Sequence, residues 1–379
     1  MRLRIIHVIP SIIKGGAERL ALNITERLAD LGHEVMLLSL RDDNRYPELS
    51  SKHVRVANAQ VYYSFLGKDM IDISEYESAI DEFQPDIIHS HLIESELVSR
   101  HNPRPEIAYI THWHGCPSLT NPTPFWAQFN KEFVWKWNTK RRLIRNYKAC
   151  NNHFLCITDF IQSYVTENLG VKDSEIEVLH NAIDLNRFRP IKTEKKSGFR
   201  LISIGSLQKN KNHRFLLNVV RNLIDEGLND IHLDIYGEGP EHDFLNAKIK
   251  RLGLSDHVKL NGIVSDIEVQ LNQADLLVHS AWQEPFGLIF IEAMACGIPV
   301  VSFNTGGPSE LINDGENGFL IQKDDLEGFC SRIKDFYNNR EQLDVIGRNG
   351  IQHAKHFGLA EYVKKIEGLY QQRLAIVRK

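Results

Sequence analysis

Two glutamates bracket seven residues in EPFGLIFIE, residues 284 to 292. Glu284 stands before a glycine-containing turn. Glu292 has Ile289, Phe290, Ile291, Ala293, Met294 and Ala295 for neighbours. A carboxylate in apolar company needs a partner, because an unpaired buried charge is costly. Vicinal hydroxyls of a sugar are one such partner, since one carboxylate accepts two hydrogen bonds. A salt bridge, or exposure on the outer face of the helix, is the plainer alternative.

Three glycine-bearing loops offer a second chemistry. They are KGGAE (14 to 18), EPFGL (284 to 288) and NTGGPSE (304 to 310). Each lies between a strand-like run and a helix-like run. Helix N-termini attract phosphate through N–H groups and the positive end of the dipole. Gly15 and Gly16 would let backbone approach an anion closely, and Pro285 suits the first turn of a helix. Each loop alone also reads as an ordinary turn. His112 and His114 in THWHG invite a metal reading. In a strand the pair is expected on opposite faces, and no carboxylate or cysteine cluster completes a set, so no metal is expected.

These residues need a scaffold. Ile5 to Ile9 reads as a buried strand, and residues 17 to 31 place Leu20, Ile24, Leu28 and Leu31 on one helical stripe. EVMLLSL, PDIIHSHL and EIAYITHWHG read as further strands. From residue 200 a second series alternates FRLISIGSL, IHLDIYGEGP, HVKLNGIV, DLLVHS and IPVVSF with helical segments. Alternation of this kind predicts two doubly wound α/β domains with parallel sheets. The joint falls near residues 181 to 198, where charge, proline and glycine collect. The boundaries are expected at 1–185 and 186–358, with a helix at 359–379 crossing back to the first domain.

A length of 379 residues favours two domains. The chain is 42% hydrophobic and 25% charged, with a formal net charge of -4. That balance argues against a general nucleic-acid binder. Five cysteines without a CxxC spacing argue against a disulfide framework or structural zinc. No long apolar run or signal peptide is read, so the expected location is cytoplasmic, or peripheral on the inner face of a membrane.

EPFGLIFIE also resembles the E-x7-E motif of retaining GT-B glycosyltransferases that use nucleotide-sugar donors. The surrounding ADLLVHSAWQEPFGLIFIEAMACGIPVVSFNTGGPSELINDGENGFLI is similar to that family, as are HVIPSIIKGGAE, HNAIDLNRFRP and IYGEGPE. The likeness runs from about residue 4 to about residue 370. It implies a GT-B fold, two Rossmann-like domains facing across a cleft. It also implies sugar transfer from a nucleotide-diphosphate sugar, a UDP-sugar foremost, with retention of configuration. The acceptor would be a glycan or lipid-linked molecule in bacterial surface polysaccharide synthesis, such as lipopolysaccharide.

The resemblance assigns roles. Glu292 would hold the donor ribose, and Glu284 would sit by the transferred sugar and phosphate. Backbone N–H groups of Phe286, Gly287 and Leu288 would contact sugar hydroxyls or the diphosphate, with Gly15 and Gly16 facing the diphosphate. Lys211 would neutralise the leaving group. The family's preceding arginine is Ser206 here, and Lys209 would stand in for it without a guanidinium's bidentate geometry. Ile263 lies in the turn resembling the base-contacting loop, and His114 would lie near the transferred sugar. The implied chemistry requires no metal and no cofactor.

Residues 131 to 148, KEFVWKWNTKRRLIRNYK, interleave basic and aromatic residues. They suit an anionic bilayer or a phosphate-bearing lipid, or a solvated helix whose aromatics pack inward. Competing readings are a GT-B epimerase or phosphorylase and a non-catalytic GT-B scaffold. A dinucleotide dehydrogenase is excluded, because GEGPEH lacks the third glycine and carries Pro240 where the fingerprint helix should run.

Overall fold

The computed structural model describes residues 1–13, 15–43, 53–64, 67–120, 131–194 and 197–378. Lys14 of the KGGAE loop lies outside them. The chain divides into two compact units, Met1–Asn181 with Leu359–Lys379, and Ala182–Gly358.

The first unit runs β1 (Arg4–Ile9), α1 (Gly16–Asp30), β2 (Glu34–Ser39), β3 (Val54–Val56) and an antiparallel pair, β4 (Gln60–Tyr62) and β5 (Met70–Asp72). It continues α2 (Ser74–Phe83), β6 (Ile87–His91), α3 (Ile93–Ser99), β7 (Ala108–Trp113), α4 (Lys131–Lys148), β8 (Asn152–Cys156), α5 (Asp159–Leu169) and β9 (Ile176–Val178). Seven strands form a parallel sheet in the order β3-β2-β1-β6-β7-β8-β9. The order reverses between β1 and β6, the point at which doubly wound sheets open a crevice at their carboxyl ends. Burial on both faces explains the near-continuous apolar runs of these strands. Leu20, Ile24 and Leu28 of α1 are buried, whereas Leu31 is 54% exposed. The helix ends at Asp30, one residue before the expected stripe does.

The second unit runs β10 (Phe199–Ile204), α6 (His213–Asp225), β11 (Ile231–Tyr236), α7 (His242–Arg251), β12 (Val258–Leu260), α8 (Ile267–Gln273) and β13 (Leu276–His279). It ends α9 (Leu288–Ala295), β14 (Val300–Phe303), α10 (Pro308–Leu311), β15 (Phe319–Ile321), α11 (Leu326–Asn338) and α12 (Arg340–Ala354). Its parallel sheet has the order β12-β11-β10-β13-β14-β15, reversing between β10 and β13. The last helix, α13 (Leu359–Val377), belongs to the first unit, where Tyr362, Ile366, Leu369 and Tyr370 are buried. All five cysteines are unpaired. No helix among the described residues is long and apolar enough to cross a membrane.

Candidate active site

In the second unit the β10–β13 reversal gathers the charged groups. A 3-10 turn over Lys209–Lys211 follows β10. Two bonds tie this turn to the segment after β13. Trp282 donates its backbone N–H to Asn210 O at 2.9 Å, and Ser280 Oγ donates to Asn212 O at 2.9 Å. That tether brings Lys211 Nζ within 2.6 Å of Glu284 Oε2. His279, the last residue of β13, places Nε2 at 3.2 Å from the same oxygen. Burial alone would push the Glu284 carboxyl up, but Lys211 and His279 outweigh it and hold the group at about 2. Glu284 is therefore a carboxylate at neutral pH, paired with the Lys211 ammonium. Burial lowers His279, against the pull of Glu284, so its neutral ring donates to Glu284 through Nε2.

Local backbone geometry sets the loop beyond Glu284. Gly307 N–H donates to Glu284 O at 2.8 Å. A Cβ on Gly307 would stand 2.5 Å from Pro285 O and 2.6 Å from Phe286 N. Only glycine lets the NTGG turn lie this close. Gly287 has φ +92 and forms the N-cap of α9, so Leu288 is the first residue of the helix. Pro285 thus precedes the helix by three residues and is not in its first turn, as the sequence had suggested. Phe286 is buried, and the first turn of α9 directs N–H groups back toward this loop. Glu292, in the second turn, is half-buried.

The other expected donor contacts differ in character. Ser206 is half-buried and Lys209 is exposed, both in the loop after β10. Ile263 is 42% exposed, beside Gly262, which pairs with Gly237. Glu284, Lys211 and His279 are joined by direct contacts.

In the first unit, Gly15 is the N-cap of α1. The Glu18 carboxylate folds back so that a Cβ on Gly15 would stand 2.3 Å from Glu18 Oε2. Glu18 is buried, and that burial raises its carboxyl above the usual range. Any anion approaching Gly15 and Gly16 therefore meets a carboxylate already placed over the helix start.

The structure corrects the expectation for His112 and His114. Their ring centroids lie 4.0 Å apart. Residues two apart in a strand share a face, so the two rings point the same way. They are joined by three histidines that the sequence reading passed over. His7 lies in β1, and His89 and His91 lie in β6, at the reversal between those strands. Parallel register sets His7 beside His89 and His91 beside His112. Two triads, His7–His89–His91 and His91–His112–His114, each bring ring nitrogens within 4.8 Å of one another. Those nitrogens bond to one another: His7 Nδ1 to His91 Nε2 at 3.0 Å, and His91 Nδ1 to His114 Nε2 at 3.0 Å. The missed signal was positional. H-x-H occurs at 89–91 and again at 112–114, both at carboxyl ends of adjacent strands.

Behind this cluster Arg100 is fully buried. It donates to Ser90 Oγ at 2.6 Å, Thr111 Oγ1 at 3.1 Å and Asn152 Oδ1 at 3.0 Å, and faces Glu96 at 3.6 Å. These bonds fix β6, β7 and β8 side by side at the height of the histidines.

On α4, Trp135 stacks on Tyr62 at 5.4 Å, Arg142 pairs with Asp69 at 2.5 Å and Tyr147 is buried. Trp137 stays 49% exposed, alongside Tyr62, Met70 and Ile71 of the β4–β5 pair at 44%, 57% and 42%.

Comparison with known proteins agrees with this architecture. The family described as Glycosyltransferase Family 4 matches residues 14–187, and that described as Glycosyl transferases group 1 matches residues 184–353. EpsD of Bacillus subtilis is 28% identical over 316 residues, covering 78% of this chain and 79% of that protein. The N-acetyl-alpha-D-glucosaminyl L-malate synthase of Bacillus anthracis is 23% identical over 398 residues, covering 98% and 97%. Among solved structures, Anabaena Alr3699/HepE in complex with UDP and glucose superposes with a TM-score of 0.79 at 19% identity, covering 98% of this chain and 100% of that one. The two matched families, adjoining along the chain, and the two Rossmann-like units make this protein a GT-B glycosyltransferase.

Proposed function

We propose that the protein transfers a sugar from a UDP-sugar to a glycan or lipid-linked acceptor in bacterial surface polysaccharide synthesis, with retention of configuration. The carrying observation is the Lys211–Glu284–His279 cluster at the carboxyl end of the second sheet, next to the start of α9. The bound UDP of the HepE structure supports the choice of nucleotide.

In this reading the diphosphate lies against the first turn of α9 and Lys211, where N–H dipoles and the ammonium meet the negative charge that grows as the bond to the sugar breaks. Glu284 holds Lys211 in place and faces the positive charge developing on the sugar ring. Glu292 grips the ribose hydroxyls. Ser206, Lys209, Ile263, Phe286, Gly287 and Leu288 complete the donor contacts. His114 contacts the transferred sugar. The acceptor hydroxyl attacks from the face the diphosphate leaves, which retains configuration. Lys211 and the helix start carry the leaving charge, so the reaction requires no metal. The exposed Trp137, with Arg141 over its ring at 5.6 Å, and the exposed Tyr62, Met70 and Ile71 of β4–β5 rest on an anionic membrane carrying the acceptor.

The test is a panel of nucleoside diphosphates and their sugars, read by thermal shift and then by turnover. UDP and one UDP-sugar are expected to raise the melting temperature, since a ligand that binds only the native state stabilises it. A panel in which no nucleotide shifts the wild type, or in which Glu284→Ala turns over as fast as wild type, would sink the reading. Flotation with anionic vesicles tests the membrane contact, which should weaken in Trp137→Ala.

A further inference from the structure

Six side chains of the first unit form one unbranched line of hydrogen bonds. His114 Nε2 meets His91 Nδ1 at 3.0 Å, and His91 Nε2 meets His7 Nδ1 at 3.0 Å. His7 Nε2 meets the Tyr370 hydroxyl of α13 at 3.3 Å, which meets His89 Nδ1 at 2.6 Å. His89 Nε2 meets His112 Nδ1 at 3.2 Å. Two ring nitrogens remain as the ends, His114 Nδ1 and His112 Nε2. The second is sealed from solvent and has no partner among the described residues.

The line has a direction that can be counted. Burial lowers all five imidazoles, His7 and His114 to about 3, so each ring is neutral at physiological pH. Five neutral rings and one phenol bring six protons, and five bonds use five of them. One proton is left for the two ends. On His112 Nε2 it would be a buried donor without an acceptor, which costs about 1–3 kcal/mol. On His114, which is half-buried, it can reach an acceptor. The remaining proton therefore belongs on His114 Nδ1, and every ring in the line is the Nδ1–H tautomer.

We infer that His91 is a positioning residue that holds His114 as an Nδ1–H donor, in a direction set by the sealed nitrogen of His112 and passed through His89, Tyr370 and His7. The inference rests on the proposal above that His114 contacts the sugar. It adds that His114 offers a hydrogen-bond donor there, so the group it meets is a sugar oxygen acting as acceptor.

The experiment uses the full chain labelled with 15N histidine, with His114→Gln identifying the His114 signals. Long-range proton–nitrogen spectra distinguish protonated from bare ring nitrogens. In the wild type, His114 is expected as the neutral Nδ1–H form. In His91→Leu no donor faces His114 Nε2, and the ring is expected to move to the Nε2–H form that free imidazole side chains favour. In His91→Asn the side-chain amide takes the place of Nδ1–H and should keep His114 as it was. With an identified donor, His91→Leu should lower kcat at least tenfold with less than a twofold change in KM, and His91→Asn should restore most of it. A wild-type His114 protonated at Nε2, or equal loss of kcat in both variants, overturns the inference. The tautomers are read without substrate, so they stand apart from the sugar-transfer reading. Absence of turnover in the wild type with every nucleotide sugar would overturn that reading and leave the spectra to decide this one.

Discussion

Lys211 Nζ lies 2.6 Å from Glu284 Oε2, although 73 residues separate them in the chain. The pair stands where the second sheet reverses its strand order, and both residues are held by loops that bond to each other. Removing either partner leaves the other charged in a largely enclosed place. Lys211→Ala and Glu284→Gln are each expected to lower kcat by roughly 10²–10³, the loss typical of one electrostatic stabiliser. Because the two act as a unit, the double variant should lose much less than the product of the single losses. Steady-state kinetics on the three variants checks this.

The same pair gives a pH dependence of stability. The folded Glu284 carboxyl lies at about 2, below its ordinary 4.5. A depressed carboxyl contributes stability that is fully present above about pH 4.5 and is lost as pH falls through 2. The contribution is on the order of 3 kcal/mol. Denaturant unfolding of wild type and Glu284→Gln should show a gap that narrows from pH 5 toward pH 2. A gap of constant size would contradict the assignment.

Gly307 tests the loop geometry. A methyl at this position meets the backbone of Pro285 and Phe286, neither of which can swing aside as a side chain could. Gly307→Ala is expected to cost about 1–3 kcal/mol through overpacking. It should also displace the start of α9, weakening nucleotide binding more than an equally destabilising change elsewhere. Melting temperature and nucleotide affinity, measured together, separate the two effects.

Arg100 tests the support behind the histidines. Arg100→Met leaves the buried Glu96 without its cation, and loss of one partner of a buried pair costs about 3–5 kcal/mol. Burial already pushes Glu96 up to about 7. The penalty should therefore be smaller at pH 5, where Glu96 can take a proton, than at pH 8. Adding Glu96→Gln should recover part of the loss at pH 8. Unfolding free energies at the two pH values provide the comparison.

Much of the scaffold could be read in one dimension. The apolar runs of β1, β6, β7, β10 and β13 and the stripe of α1 announce themselves because strand and helix periods are local. So do the turns before α9 and α10, where glycine chemistry is local too. Glu284 and Glu292 stood out for the same reason, a charge beside or within an apolar run. The exact start of α9 did not, because it depends on Gly287 adopting a left-handed backbone that the sequence permits but does not demand.

What the amino-acid order decided by itself was therefore the alternation of elements, the two α/β units and the loops that carry the chemistry. What only the tertiary structure decided was which distant residues meet. Parallel strands are paired by register, and register is set by packing across dozens of residues. For this reason His7, His89, His91, His112 and Tyr370 looked unrelated until β1, β6, β7 and α13 were placed. Lys211 became the partner of Glu284 only when the turn after β10 bonded to the segment after β13. Local physics chooses the pieces; the contacts between residues far apart in the chain exist only once the core has closed.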